Sequence, residues 1–328
     1  MMNFDYIKPS TQQAALVALN KNSEAQIIAG GTNLVDLMKR GVAAPEKLID
    51  ITGLPLKNIE QHKGVIRIGA LALNSDVAEH PLITKKLPLL AQALKAGASP
   101  QLRNMATVGG NMMQRTRCTY FYDITMPCNK RSPGSGCSAL KGYNRMHAIF
   151  GASESCIAVH PSDMCVALTA LDATVVISSN KGERKMPFGD FHRLPGSTPE
   201  KDNTLQKGEM ITAVEVGDNA ALSKNNLYIK VRDRASYAFA LVSVAASFDM
   251  NGNTISNARL AMGGVAHKPW RLTAAEDYLK GKAASAENFK KAAALAQEGA
   301  KGYGHNNFKI QLARNTIIQA LISVSGIK

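Results

Sequence analysis

Four cysteines stand close together in a polar stretch of the sequence, and thiolates are ligands that soft metals prefer. Cys118, Cys128 and Cys137 fall in "RTRCTYFYDITMPCNKRSPGSGC", and Cys156 follows in "ASESCIAVHPSD". A fifth, Cys165, lies in the apolar stretch "MCVALTAL" and is predicted to be a core residue, although it is the alternative to Cys156 as a fourth ligand. The clustering predicts that four thiols share one task.

Several tasks are open to such a set of thiols. Disulfides would leave one of the five cysteines unpaired, and structural zinc normally uses C-x-x-C pairs, whereas nine, eight and eighteen residues separate these cysteines. Inert buried cysteines would be expected on apolar faces rather than in a polar loop. Four thiolates are the standard ligand set of an iron–sulfur cluster, and a basic loop would offset its negative charge. We therefore predict a [4Fe-4S] cluster, with zinc or a structural role as the alternatives.

Two glycine loops offer a second kind of chemistry, the binding of phosphate. In "IIAGGTNL", residues 27–34, Gly30 and Gly31 leave their N–H groups open to a charged ligand, and Thr32 and Asn33 add polar side chains. A second loop, "QLRNMATVGGNM", repeats this with Thr107, Gly109, Gly110 and Asn111. A pair of such loops could cradle the two phosphates of one dinucleotide, although each alone is also typical of a tight strand-to-helix turn.

The elements that must position these residues alternate in the first third of the chain. Strands are predicted at "FDYIKP", "AQIIAG", "EKLIDIT" and "GVIRIGAL", and helices at "TQQAALVALNKN", with a Ser10–Gln13 capping box, and at "TKKLPLLAQALKAGA". Residues 115–155 follow no period, and regular structure resumes in "CIAVHPSDMCVALTALDATVVI". Irregular loops of that length in compact domains usually serve a function.

The last third is predicted to be a separate unit. After a linker at residues 217–226, an antiparallel sheet of about three strands contains a hairpin turn at Asn251–Gly252, and the tail is helical.

Composition limits the class of protein. A chain of 328 residues with 45% hydrophobic residues favours two folded domains, and no apolar run is long enough to span a membrane. The first residues lack the apolar run of a signal peptide. The net charge of +14 would suit nucleic acid, but the basic residues are spread along the chain and aromatic residues are only 5%, so no nucleic-acid partner is expected.

Four segments together carry a family resemblance. "IIAGGTNLVDLMKRG", "QLRNMATVGGNMMQR", "HPSDMCVALTALDA" and "YIKVRDRASYAFALVSVAA" resemble the FAD-binding subunit of the xanthine dehydrogenase family of molybdenum hydroxylases, most closely that of bacterial periplasmic aldehyde oxidoreductases. The resemblance covers essentially the whole chain. This chain differs from most of that family by an extra segment between the second glycine loop and "HPSD". That segment is the cysteine-bearing insert.

The resemblance implies an α+β fold of the vanillyl-alcohol-oxidase type. An FAD-binding domain over residues 1–220 would contain two α/β subdomains, 1–55 and 56–220, with the iron–sulfur insert at about 115–156. Residues 221–328 would form the C-terminal domain of an antiparallel sheet with helices.

The resemblance also implies residue roles. The diphosphate of FAD would lie against Ile27, Ile28, Ala29, Gly30, Gly31, Thr32, Asn33 and Leu34 and against Thr107, Gly110 and Asn111. Asp163, which by itself reads as a helix-capping residue, would meet the adenosine ribose, and Lys230 would approach the isoalloxazine ring. No catalytic residue for substrate oxidation is predicted.

The implied function is electron transfer within a heterotrimer. A large subunit with a molybdenum cofactor would oxidise an aldehyde, and a small [2Fe-2S] subunit would pass electrons to FAD in this chain. Tyr237 stands where relatives that reduce NAD carry a charge, which favours a quinone, a small redox protein or oxygen as the external acceptor. The expected compartment is the periplasm, reached with a signal-bearing partner, and the alternative is the cytoplasm. A stand-alone FAD oxidase and a zinc-stabilised basic binding module are the alternative functions.

Overall fold

The computed structural model describes residues 1–218 and 220–327, which form three β-sheets and the helices packed on them. Asn219, inside the predicted linker, and Lys328, the last residue of the predicted C-terminal domain, lie outside the described residues. The predicted α+β class is confirmed, since one sheet is parallel and two are antiparallel.

The first unit is a small parallel sheet with two helices. It comprises β1 (Asp5–Ile7), α1 (Gln12–Lys21), β2 (Ala25–Ile28), α2 (Leu34–Lys39) and β3 (Lys47–Asp50), with strand order β1-β3-β2. Helix α1 is capped by Thr11, whose hydroxyl accepts the N–H of Ala14 at 3.1 Å, so the predicted capping by Ser10 is wrong by one residue. The end of β2 leads directly into the first glycine loop.

The second unit is a five-stranded antiparallel sheet of order β4-β5-β8-β6-β7, covered by helices. Its strands are β4 (Ile59–His62), β5 (Val65–Gly69), β6 (Thr174–Ser179), β7 (Gly182–Pro187) and β8 (Met210–Gly217). Its helices are α3 (Asn74–Glu79), α4 (Pro81–Lys86), α5 (Pro88–Ala96), α6 (Pro100–Arg103), α7 (Val108–Met112), α9 (Asp163–Ala170) and α10 (Phe188–Phe191), and α8 (Thr119–Tyr122) lies in the cysteine-bearing insert. The sequence patterns had not indicated strands β4, β7 and β8.

One predicted helix is divided in two by a proline. The pattern "TKKLPLLAQALKAGA" predicts continuous helix, but α4 ends at Lys86 and α5 begins at Pro88. Leu87 between them has φ −129° and ψ 50°, outside the helical region. Pro88 has no N–H to donate and disfavours helical geometry in the residue before it, so the chain restarts a helix with proline in its first turn.

The third unit is a four-stranded antiparallel sheet of order β12-β11-β10-β9 with three helices packed on it. It contains β9 (Asn225–Val231), β10 (Val242–Asn251), β11 (Thr254–Gly263), β12 (Trp270–Arg271), α11 (Thr273–Leu279), α12 (Ala286–Leu295) and α13 (Phe308–Ser325). The hairpin turn falls at Gly252, with φ +58°, and Asn253, one residue later than predicted. Of the described helices, none has the length and apolar character needed to cross a bilayer.

Helix α9 joins the second and third units. All eight of its residues are buried, and it packs against α5 on one side and β10 and β11 on the other. At the contact with β11, a Cβ on Gly263 would lie 2.5 Å from the Val166 side chain, so only glycine fits there. A helix that is apolar on every face is expected in such a position, since it has no solvent-facing side.

The cysteine-bearing insert, residues 115–156, has little regular structure. Among its described residues only α8 and a short 3₁₀ helix at Ser138–Leu140 are regular. The insert is nevertheless ordered by hydrogen bonds from its own side chains: Arg131 donates to the carbonyls of Tyr120 and Phe121 at 2.8 Å, and Asn129 accepts the N–H of Gly136 at 2.8 Å.

The third unit holds the end of the insert through two buried polar residues near the start of α13. Lys309 donates to the carbonyl of His147 at 2.9 Å and to that of Gly264. Asn306 donates to the carbonyl of Ala148 at 2.9 Å. Burial, with repulsion from Arg145 as a second cause, lowers the pKa of Lys309 to about 7.

This lysine is expected to give stability a specific pH dependence. The unfolded chain keeps the Lys309 proton up to pH near 10.5, whereas the folded chain releases it at about 7. The unfolded state therefore binds more protons between those values, and the free energy of unfolding rises with pH across that window. Lys309→Met is expected to remove this rise and to cost about 1–3 kcal/mol, because buried carbonyls lose their donor.

Denaturant unfolding at pH 7 to 9.5 measures both effects, with the exposed Lys301 as the matched control, changed to methionine. An unaltered pH slope in Lys309→Met would contradict the assignment.

Candidate cofactor site

The two glycine loops pack directly against each other. A Cβ on Gly30 would lie 1.8 Å from the carbonyl oxygen of Met105, closer than any side chain can approach. The second loop is fixed to the end of β5 by backbone bonds, from Val108 N to the carbonyl of Ala72 at 3.0 Å and from Gly109 N to that of Ala70 at 2.8 Å. The structure thus brings together the two loops that the sequence paired only by their similarity.

Asn33 in the first loop has one half of its side chain free to bind a ligand. Its Oδ1 accepts the N–H of Arg115 at 3.0 Å, while its Nδ2 is buried and has no hydrogen-bond partner among the described residues. Leaving a buried donor unpaired costs about 1–3 kcal/mol, and a phosphate oxygen would satisfy it. The loop therefore fits the diphosphate of a dinucleotide.

The polar side chains of the second glycine loop already form hydrogen bonds within the protein. Thr107 caps α7 by accepting the N–H of Gly110 at 3.2 Å. The Oδ1 of Asn111 accepts from the hydroxyl of Ser162 and from Gln114. These contacts link the loop to the start of α9, so that a ligand between the loops would also face that helix.

A cleft that is partly open to solvent lies between the second and third units, next to the start of α9. It is lined by residues of the insert, of the α9 start and of the third unit, including Thr116, Cys118, His147, Asp163, Phe239 and Gly264. Arg117 also lines it and stacks over the Phe239 ring at 5.1 Å. Tyr237, in the same loop, is not among the lining residues and is 62% exposed.

Asp163 and Lys230, both predicted to contact FAD, form one buried ion pair. Lys230 Nζ lies 2.8 Å from Asp163 Oδ2 and 3.1 Å from the carbonyl of Ala96. Tyr228 donates to Asp163 Oδ1 at 2.7 Å, and burial, with the Asp163 charge as second cause, raises the Tyr228 pKa. Ser162 caps α9 by accepting the N–H of Cys165, so capping is not the task of Asp163.

The structure brings together two residues to which the resemblance gives different roles. Asp163 is expected at the adenosine ribose and Lys230 at the isoalloxazine ring, and their side chains lie 2.8 Å apart. Both roles stay predictions. Lys230 is also buried rather than on the surface, with 4% of its side chain exposed.

All four predicted cluster ligands line one small cavity. Cys118, Cys128, Cys137 and Cys156 surround it together with Tyr120, Phe121 and Lys130. Cys128 and Cys137 face each other across an isolated antiparallel bridge. Cys165 lies elsewhere, fully buried in α9 beside His160 and His192, whose Nε2 atoms both face the carbonyl of Met112. The structure therefore places Cys156, and not Cys165, with the other three.

The thiols of this cavity are unfavourable as free anions. Burial is the main cause that raises the pKa of Cys118 to about 12, and the neighbouring Cys128 and Cys156 raise it further. Burial likewise raises the pKa of Cys156 to about 11, partly offset by the charge of Lys130. None of the five cysteines, all of which lie among the described residues, forms a disulfide. A bound metal would supply the positive charge that four clustered thiolates need.

The four cavity sulfurs are widely spaced in the structure. Four sulfurs on one tetrahedral zinc at about 2.3 Å would lie about 3.8 Å apart. Among the described residues, the only three ligand atoms within 4.8 Å of one another belong to His160, Cys165 and His192, so no three of the cavity sulfurs are that close.

The basic residues of the insert are mostly neutralised by acids elsewhere. Lys130 and Arg115 both pair with Asp202, Arg117 lies 3.5 Å from Asp36, and Arg145 lies 2.7 Å from Asp233. Lys130, although paired with Asp202, also acts on the thiols, because its charge lowers the pKa of Cys156.

Two residues of the site were missed by sequence reasoning. Tyr228 lies two residues before Lys230 on β9, and the strand period of two places both on one face, so this signal was available. His147 approaches Cys118, with Nε2 3.1 Å from Sγ, and no pattern in the sequence indicates that contact.

Comparison with known proteins agrees with this geometry. Residues 2–217 match the family model described as the FAD binding domain in molybdopterin dehydrogenase, and residues 227–324 match the CO dehydrogenase flavoprotein C-terminal domain. The aldehyde oxidoreductase FAD-binding subunit of Escherichia coli (strain K12) is 47% identical over 323 residues, covering 98% of both chains. The glyceraldehyde dehydrogenase medium chain of Sulfolobus acidocaldarius is 30% identical over 280 residues, covering 85% of this chain and 82% of its own.

A solved structure extends the match to the whole fold. The carbon monoxide dehydrogenase of Hydrogenophaga pseudoflava that lacks the Mo-pyranopterin moiety aligns with a TM-score of 0.78 at 26% identity. The alignment covers 98% of this chain and 97% of the other. Both units of the cleft are therefore shared with a known protein.

Replacing Gly30 tests the contact between the loops. Gly30→Ala places a methyl group within 1.8 Å of the Met105 carbonyl and must push the loops apart. We expect flavin bound per chain, measured by visible absorbance after purification, to fall at least severalfold. Gly189→Ala is the matched control, since nothing lies within 4 Å of its added Cβ. Equal flavin content in both variants would show that the contact does not shape the binding site.

Proposed function

Because this chain belongs to the FAD-binding subunits of the molybdopterin dehydrogenases, in the xanthine dehydrogenase family, we propose that it is an electron-transfer subunit that holds FAD and a [4Fe-4S] cluster. One observation carries the proposal. The four clustered cysteines line one cavity, and two of its residues, Thr116 and Cys118, also line the cleft. An FAD in the cleft and a cluster in the cavity would therefore be neighbouring electron carriers within one chain.

The glycine loops, the start of α9 and strand β9 would divide the task of holding FAD, which when bound supplies a ring that accepts and passes on electrons. The glycine loops would take the diphosphate, with Asn33 Nδ2 as a donor to it. Lys230 and Asp163 neutralise each other, so they present a dipole rather than a net charge to the part of the cofactor they face. Tyr228 fixes the orientation of the Asp163 carboxylate.

The insert would hold the cluster. Cys118, Cys128, Cys137 and Cys156 would be its ligands, and Phe121, fully buried, would exclude water from one side. Backbone donors favour thiolates there: Ala158 N lies 3.4 Å from the sulfur of Cys156. Lys130 adds a positive charge beside the same sulfur.

The substrate would be oxidised on another chain. The relatives are named as an FAD-binding subunit and as a medium chain, which supports assembly with further subunits. We propose that these partners carry a molybdenum cofactor and [2Fe-2S] clusters. Both names include an aldehyde, so we propose an aldehyde as the substrate class. Electrons would reach this chain from the [2Fe-2S] subunit and leave it to a quinone, a small redox protein or oxygen.

Iron content tests the cluster. We expect purified protein to contain about four iron atoms per chain with acid-labile sulfide, and Cys128→Ala or Cys137→Ala to lose most of that iron while keeping FAD. Cys165→Ala, which removes a buried thiol outside the cavity, should keep the iron. Zinc in place of iron, or iron that survives both cavity substitutions, would refute the proposed cluster.

Activity of separate and assembled chains tests the subunit role. We expect the isolated chain to bind FAD but to show no measurable aldehyde oxidation with an artificial dye acceptor. Co-expression with the large and small subunits should give a stable complex that reduces the dye. Aldehyde oxidation by the isolated chain would instead support a stand-alone oxidase.

A further inference from the structure

One histidine lies at the junction of the four-cysteine cavity and the cleft. His147 Nε2 is 3.1 Å from Cys118 Sγ, and the side chain is buried, with 5% of the residue exposed. His147 and Cys118 both line the cleft, and Cys118 also lines the cavity. The contact therefore connects the cleft to Cys118, the predicted cluster ligand that lines both the cleft and the cavity.

The direction of this hydrogen bond follows from its partners. A ligating cysteine is a thiolate and has no proton to give, so the imidazole must be the donor. His147 Nδ1 is buried without a hydrogen-bond partner among the described residues. The tautomer with its proton on Nε2 places the N–H against sulfur and avoids burying a second N–H with nothing to accept it.

The third unit holds the backbone of His147, and thereby its imidazole ring, in place. Lys309 Nζ and Asn306 Nδ2 donate to the main-chain carbonyl of His147, at 2.9 Å and 3.3 Å, and both of these residues are fully buried. The N–H of His147 donates to the carbonyl of Asn144 at 3.0 Å. Main-chain bonds on both sides of the residue restrict where its side chain can point.

We propose that His147 is a tuning residue of the cluster, donating an Nε2–H bond to the Cys118 thiolate and so raising the cluster's reduction potential. The inference rests on the proposed function, since it needs a cluster on Cys118. Hydrogen bonds to ligand sulfur draw electron density from it and favour the reduced, more negative state. Lys309 acts indirectly, as a positioning residue for His147.

The test uses the complete three-subunit enzyme and two substitutions at one position. His147→Phe keeps a planar ring and removes the donor, whereas His147→Gln keeps an N–H at similar reach. His62→Phe, on an exposed strand residue, is the control for loss of a histidine. The readouts are iron per chain and the midpoint potential of the cluster, from a redox titration followed by electron paramagnetic resonance.

We expect His147→Phe to retain iron but to shift the ratio of reduced to oxidised cluster at a fixed potential about tenfold toward oxidised, which is about 59 mV for one electron. His147→Gln should recover most of that shift, and His62→Phe should show none. An unchanged potential in an iron-loaded His147→Phe enzyme would overturn the tuning role. If His147→Phe loses its iron, the midpoint potential of the His147→Gln enzyme tests the tuning role instead. Loss of iron from both variants would show that His147 has a structural role and would overturn the tuning role. Wild-type enzyme without iron would refute the proposed cluster itself.

Discussion

The buried contact between Asp163 and Lys230 is the constraint on which the cleft depends. Asp163 belongs to α9 and Lys230 to β9, so the pair connects the second unit to the third at 2.8 Å. A buried pair adds little net stability, but removing one partner typically costs about 3–5 kcal/mol, because the remaining charge is left without compensation. Tyr228 and the carbonyl of Ala96 complete the set of hydrogen bonds. The pair thus joins the two units with both of its own charges compensated.

Asp202 fixes the insert to the second unit in a similar way, through ion pairs. It pairs with the buried Lys130 and with Arg115, and His267 Nε2 lies 3.7 Å from it. Burial would raise the pKa of the Asp202 carboxyl, but the charges of Lys130 and Arg115 outweigh it and hold that pKa well below its usual range. An irregular segment with few apolar side chains cannot rely on a core of its own, so paired charges fix it to the second unit.

The sequence predicted the parts of the site that are local in the chain. Glycine loops after strands and clustered cysteines are visible as short patterns, and the fold class follows from periodicity and from the family resemblance. Strand register and contacts between residues far apart in the chain leave no such short pattern in the sequence. The shared position of Asp163 and Lys230 depends on how α9 packs on the sheet of the third unit, and the approach of His147 to Cys118 depends on an insert without a period. The break at Pro88 was accessible locally, but the apolar pattern on both sides of it favoured one helix.

The bonds from Asn306 and Lys309 to residues 146–148 have a consequence for how the protein is made. These partners are separated by 158 to 163 residues of chain. During synthesis the ribosome must therefore complete the third unit before the end of the insert can close. Until then the carbonyls of residues 146–148 lack these donors, so the end of the insert takes its final form only after nearly the whole chain has been synthesised.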